Sequence, residues 1–140
     1  MNENFIGPTA ALATFIGIWV GHVLVRKIEY GSVSIKLPVT CFALLGILLL
    51  IGSSLTDSLT LSASLGILAM TALWDAYEFF RQEQRIIKGH APANPNNPRH
   101  MEILKKYATA TTLDMLKRDP VGREVTLQES IALVHGKAAE

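Results

Sequence analysis

Three stretches of this chain, residues 4–25, 37–56 and 58–74, contain no Asp, Glu, Lys or Arg. Nothing else in the sequence constrains the fold as strongly. About 20 helical residues cross about 30 Å of hydrocarbon, and lipid offers no partner to an unpaired backbone group. Charge-free runs of this length therefore predict membrane-spanning helices at about 5–25, 37–55 and 59–80. Pro8 and Pro38 fall in the first turns of the first and second spans, where a helix loses no intrahelical donor. The link Thr56-Asp57-Ser58 is short enough to make the second and third spans an antiparallel hairpin. The expected fold class is all-α, an integral membrane domain over 1–80. A charged helix extension and a Pro/Asn linker over 81–98 follow it, then a short helical tail over 99–140.

Charge sets the expected orientation. Arg26, Lys27 and Lys36 lie in the first link and Arg81, Arg85 and Lys88 just past the third span, while the second link has no Lys or Arg. By the positive-inside rule the N-terminus is expected outside and the C-terminus in the cytoplasm. Tyr30, Trp74, Tyr77, Phe79 and Phe80 fall near the inner boundary, as an interfacial aromatic belt does. No basic side chain precedes Phe5, so the first run is expected to be a retained span and not a cleaved signal. Over the whole chain 13 Lys+Arg stand against 12 Asp+Glu, which argues against a nucleic-acid binder. The single cysteine, Cys41, excludes an intramolecular disulfide.

Small residues recur every fourth position along the first span, at Thr9, Ala13, Gly17 and Gly21, the last two forming a GxxxG. Such a stripe lets another helix approach closely, so Ala13, Gly17 and Gly21 are expected at a helix contact. Ser62, Gly66, Ala69, Ala72 and Ala76 give the third span a similar face, so the partner helix is either within the chain or in another subunit. The second span is apolar all round from Leu44 to Ile51 and suits a lipid-facing role.

Three titratable residues enter the spans near their inner ends: His22, Asp75 and Glu78, the last two at i and i+3. Ionisable groups at such depth are candidates for function. A polar cluster of His22 with Asp75 or Glu78 serves a structural pair, proton or ion handling, or contact with a cofactor or partner. A bis-histidine haem needs two histidines at matching depth, and the spans supply only His22; His90, His100 and His135 lie beyond them. His22 is thus the one candidate cofactor ligand, and no cofactor or metal is assigned. The chain has no GxSxG, HExxH, GxxxxGK[ST] or CxxC, so no catalytic residue is assigned and no enzyme is expected.

In the tail, Gly89 is placed to end the charged extension, and Ala91–Pro98 reads as a breaker-rich linker. Helical spacing over 100–118 puts Ile103, Leu104, Tyr107 and Met115 on one side, weakened by the β-branched run at 109–112. Asp119-Pro120-Val121-Gly122 reads as a turn. Thr126-Leu127-Gln128-Glu129 is a capping box that opens a short helix, with Gly136 placed to close it. So small a tail is not expected to build its own core. Ile103, Leu104, Tyr107 and Met115 are therefore expected to dock on a partner. Residues 81–140 hold ten Lys+Arg and seven Asp+Glu, too mixed for strong attraction to lipid, which favours protein.

Several motifs occur together in order: Asn4-Phe5-Ile6-Gly7, His22, Lys27-Ile28-Glu29-Tyr30, Trp74, Glu78-Phe79-Phe80, Gln82-Glu83-Gln84-Arg85 and Lys88-Gly89-His90-Ala91-Pro92-Ala93-Asn94-Pro95. On these, residues from about 4 to 98 resemble a family of small three-span bacterial membrane proteins known as a domain of unknown function. The chain departs from it at Val23, where proline is expected after His22, and in the tail beyond Pro98. The resemblance implies a multi-pass protein of the bacterial inner membrane and brings no activity with it. The expected role is a non-catalytic accessory subunit of a larger membrane complex, packing through the first span and docking its cytoplasmic tail, redox or photosynthetic complexes being plausible hosts by analogy. Its expected partners are other integral membrane subunits, a cytoplasmic subunit and the lipid bilayer, without nucleic acid. The alternative is a small oligomeric protein that handles ions or protons through His22, Asp75 and Glu78.

Overall fold

The structure, a computed structural model, describes residues 5–114 and 124–134. Among these the regular elements are all helical: α1 (Ile6–Gly31), α2 (Lys36–Leu55), α3 (Leu59–Ile87), α4 (Pro98–Lys106) and α5 (Leu127–Val134). The first three are long and apolar enough to cross a membrane. At about 1.5 Å per residue α2 matches the hydrocarbon thickness, while α1 and α3 exceed it by roughly 10 Å. Both outrun the spans read from charge, because a helix does not stop where its side chains become polar.

Helix ends follow local chemistry. Past α3, the His90 N–H donates to Arg85 O at 2.8 Å and the Gly89 N–H to Ile86 O at 3.0 Å. These are the 6→1 and 5→2 bonds of a Schellman cap, which needs a left-handed residue at Gly89, whose φ is +73°. Before α4, Asn97 is the N-cap, its side chain accepting from the Arg99 N–H at 3.1 Å, with Pro98 at the first helical position. Before α5, Thr126 Oγ1 accepts from the Glu129 N–H at 3.2 Å, the first half of the expected capping box. Met115, the turn at 119–122, His135 and the closing Gly136 lie outside the described residues.

The chain divides into two compact units, one running to Glu29 and resuming at Ser34–Arg81, the other made of Tyr30–Val33 and the chain from Gln82 onward. The first unit is the bundle of α1, α2 and most of α3. Its hairpin is closed beside the 56–58 link by a reciprocal pair: Ser53 Oγ donates to Ser62 O at 2.8 Å, and Ser62 Oγ to Ser53 O at 2.9 Å. Two hydroxyls that bond to backbone across a helix pair fix its register without leaving a donor in lipid. Helix α2 buries only Pro38 and Gly46. Elsewhere its large side chains, including Leu44, Leu45, Leu48 and Ile51, face outward, as suits contact with lipid.

The second unit departs from the expected linker and tail. Ile86, Ala93, Ile103 and Ala110 form a small core, with Ile87, Ala91, Leu104 and Tyr107 packed on it. Helix α4 ends at Lys106, well short of the expected continuation through 118. The Thr109–Thr111 segment serves instead as a strap: Thr109 Oγ1 donates to Ile87 O at 2.5 Å, and the Ala93 N–H donates to Thr111 O at 2.8 Å. Residues 91–97 are therefore fixed structure and not a tether. The carbonyls that end α1 are satisfied from far along the chain. Asn94 Nδ2 and Asn97 Nδ2 donate to Tyr30 O at 3.0 and 3.1 Å, and Asn97 Nδ2 also to Ser32 O at 2.9 Å. A helix C-terminus leaves its last carbonyls without intrahelical donors, and here amides near residue 95 supply them.

Candidate functional site

The polar residues expected in the spans lie at one end of the first unit. Its short links place the C-terminal end of α1, the N-terminal end of α2 and the later turns of α3 together. Asp75 is 6% exposed and Glu78 3%, and Glu29 near the end of α1 is 1% exposed. His22 is exposed, and its carbonyl receives Arg26 Nε at 3.4 Å. Asp75 packs against Gly21, the residue before His22, and precedes Glu78 by three residues on α3. Glu78 Oε2 lies 3.7 Å from Arg81 Nε.

Glycine makes room for the carboxylate. A Cβ added at Gly21 would fall on the Asp75 side chain, within 2.6 Å of Oδ1 and 2.7 Å of Cγ. One turn earlier, a Cβ at Gly17 would lie 2.8 Å from Thr71 Oγ1 and 3.4 Å from Leu68 Cδ2. The GxxxG of α1 therefore meets α3 of the same chain, and Ala13 is buried too. The stripe at Gly17 and Gly21 is thus filled by α3 of the same chain. The opposite flank of α3 is matched by Gly46 of α2, whose added Cβ would lie 2.6 Å from Leu73 Cγ and 2.9 Å from Ala69 O. Phe42 and Phe79 meet edge to face at 5.4 Å nearby. Close backbone approach of this kind is what small residues give in place of a hydrophobic driving force between membrane helices.

Asp75 and Glu78 are thus buried carboxyl groups on α3, the first packed against Gly21 of α1 and the second 3.7 Å from the Arg81 cation. Among the described residues, no three His, Cys, Asp or Glu side chains are grouped as a metal site requires. His100 belongs to the second unit and is engaged there. Fully buried, it accepts the Asn94 N–H at Nδ1 (2.8 Å), has Arg99 Nη2 2.9 Å from Nε2, and meets the Tyr30 ring edge-on at 6.1 Å. Arg99 also pairs with Glu83 at 2.6 Å.

Of the side chains expected to dock on a partner, Ile103 is buried in the second unit's core, and Leu104 and Tyr107 pack against it. The reason is the strap: folding residues 109–111 back over 87–93 gives those side chains an internal face. Nothing in the residue pattern alone marks Glu29, Asn94 or His100 for the burial and bonding they have in the structure. One signal was available for Asn97, since an Asn followed by Pro opens a helix as N-cap and first residue.

Among the described residues the protein is all-helical, with three helices long and apolar enough to cross a membrane. The chain belongs to the family described as a domain of unknown function, DUF4491, whose sequence pattern matches residues 4–97. That range ends at the Asn97 cap, and it takes in all three long helices together with the Asn94–Asn97 loop. No curated protein and no solved structure matches the chain.

Proposed function

We propose that this protein is a non-catalytic accessory subunit of a larger bacterial inner-membrane complex, holding a structured module at the cytoplasmic face. The observation that carries the reading is the order built into the chain after the last span. A simple anchor needs only a flexible connection there. Here Asn94, Asn97, Arg99 and Glu83 hold the 30–33 loop and the start of α4 in one geometry. Fixing backbone costs about 1–2 kcal/mol per residue, a cost consistent with presenting a surface in a set pose. With Ile103, Leu104 and Tyr107 turned inward, the docking surface consists of the outer face of α4, carrying exposed Met101, Glu102, Lys105 and Lys106, and of α5, with exposed Leu127 and Ile131. Other membrane subunits pack on the outward faces of the bundle, not on the GxxxG stripe.

The orientation belongs to the same reading. Arg26, Lys27, Lys36 and Arg81 share one end, which the positive-inside rule assigns to the cytoplasm, leaving Asp57 outside. Gentle extraction of a tagged copy, followed by weighing the intact particle, tests the proposal. A large particle of fixed composition is expected; a particle made only of this chain would overturn it.

One observation favours a second reading, proton or ion handling: Asp75 and Glu78 are buried three residues apart on α3, and Asp75 packs against Gly21, the residue before His22. On that reading Asp75→Asn abolishes proton flux in vesicles reconstituted with the pure protein. On the accessory-subunit reading there is no flux to lose.

A further inference from the structure

At the polar end of the first unit, exposed charge has one sign. The described charged residues of this unit are Arg26, Lys27, Glu29, Lys36, Asp57, Asp75, Glu78 and Arg81. Asp57 stands at the opposite end, in the link between α2 and α3. Glu29, Asp75 and Glu78 are buried, whereas all four cations are exposed. What this end offers its surroundings is therefore a cationic collar over an acidic interior.

One of the four cations is set into a more specific arrangement. Trp74, Tyr77 and Arg81 follow at i, i+3 and i+7 along α3 and so share a face, which Met70 continues toward the middle of the helix. Met70, Trp74 and Tyr77 are 60%, 52% and 54% exposed. The Trp74 and Tyr77 rings meet edge to face at 5.6 Å, and the Arg81 guanidinium lies 5.9 Å from the Trp74 ring centroid. Arg81 Nε faces Glu78, yet its side chain remains 47% exposed. Reading outward along the helix, the stripe passes from flexible apolar side chain to amphipathic rings to a planar cation. A phospholipid has the same sequence of properties from acyl chain through glycerol to phosphate, and a guanidinium suits the phosphate because its donors form a rigid fork.

We propose that Arg81, Trp74, Tyr77 and Met70 form a boundary site for one anionic phospholipid, the guanidinium taking the headgroup phosphate and the paired rings the glycerol region. The collar of Arg26, Lys27 and Lys36, with no exposed acid among the described residues of this unit at the same end, is what favours an anionic over a zwitterionic headgroup at this site. The inference goes beyond the accessory-subunit reading and does not rest on it.

The chain has two tryptophans, so Trp19→Phe leaves Trp74 as the only indole. The full-length variant is reconstituted into mixed vesicles in which either phosphatidylglycerol or phosphatidylcholine carries brominated acyl chains, and quenching of Trp74 is compared. The expected result is an enrichment of phosphatidylglycerol at Trp74 of about fivefold over its bulk mole fraction. It should shrink at raised salt, disappear in Arg81→Gln and persist in part in Arg81→Lys. Equal quenching by the two lipids would overturn the proposal. So would an enrichment that survives Arg81→Gln in a protein of unchanged circular dichroism. Absence of quenching by either lipid would also overturn it, since a second copy or another protein would then cover the face. If Arg81→Gln does not fold, the preference measured with Arg81 present, together with its salt dependence, decides.

Discussion

Single atoms decide the contacts at the residue scale. Gly21 has no side chain where the Asp75 carboxylate sits, so Gly21→Ala must displace one or the other. We expect a loss of about 1–3 kcal/mol, the usual range for overpacking, read as a lower unfolding midpoint in a mild-detergent titration. Combined with Asp75→Ala, which removes the obstructing oxygens, the same substitution should cost measurably less than the sum of the two single changes. Asn97 carries three hydrogen bonds, as N-cap to Arg99 and as donor to Tyr30 O and Ser32 O. Asn97→Ala should therefore cost about 2 kcal/mol or more and speed limited proteolysis of the chain after Gln82. Asn96→Ala, at an exposed neighbouring position, should leave the digestion rate unchanged.

At the scale of elements, length and termination obey different rules. Apolar composition determines where a helix sits in lipid, while capping chemistry determines where it stops, which is why α3 runs to Ile87 before Gly89 turns the chain. Gly89→Ala meets two obstacles, a left-handed backbone and the Thr109 carbonyl that its Cβ would strike. The expected cost is about 1–3 kcal/mol. It should appear as faster amide exchange at Ala93, whose N–H is tied to the Thr109–Thr111 strap. Helix α2 holds to α3 through Gly46, Phe42 and the Ser53–Ser62 pair. Gly46→Leu should separate the hairpin while leaving the helical content of the chain nearly intact.

For the whole molecule, the proposed orientation gives a direct prediction in a Cys41→Ser background. Asp57→Cys should react with a membrane-impermeant maleimide added outside spheroplasts, and Lys27→Cys only after lysis. The reverse pattern would invert the topology and move the folded unit after Gln82 to the other side of the membrane. The mass of the gently extracted particle then separates a subunit of a larger complex from a protein that works alone.

The sequence by itself determined the three long helices, their antiparallel hairpin, the Gly89 stop and the Thr126 cap. Each follows from local causes: hydrocarbon-length runs without charge, a three-residue link, a residue free to take positive φ, and a hydroxyl three positions before a first-turn acid. Residue order left the partner of Gly17 and Gly21 open, since a small stripe states only that something comes close. The tertiary structure decided that Thr71 and Asp75 of α3 come there. It also decided that Asn94 and Asn97 close α1 across more than sixty positions and that Ile103, Leu104 and Tyr107 turn inward. These contacts join segments far apart in the chain, and hydrophobic periodicity marks a face that will be buried without naming what buries it.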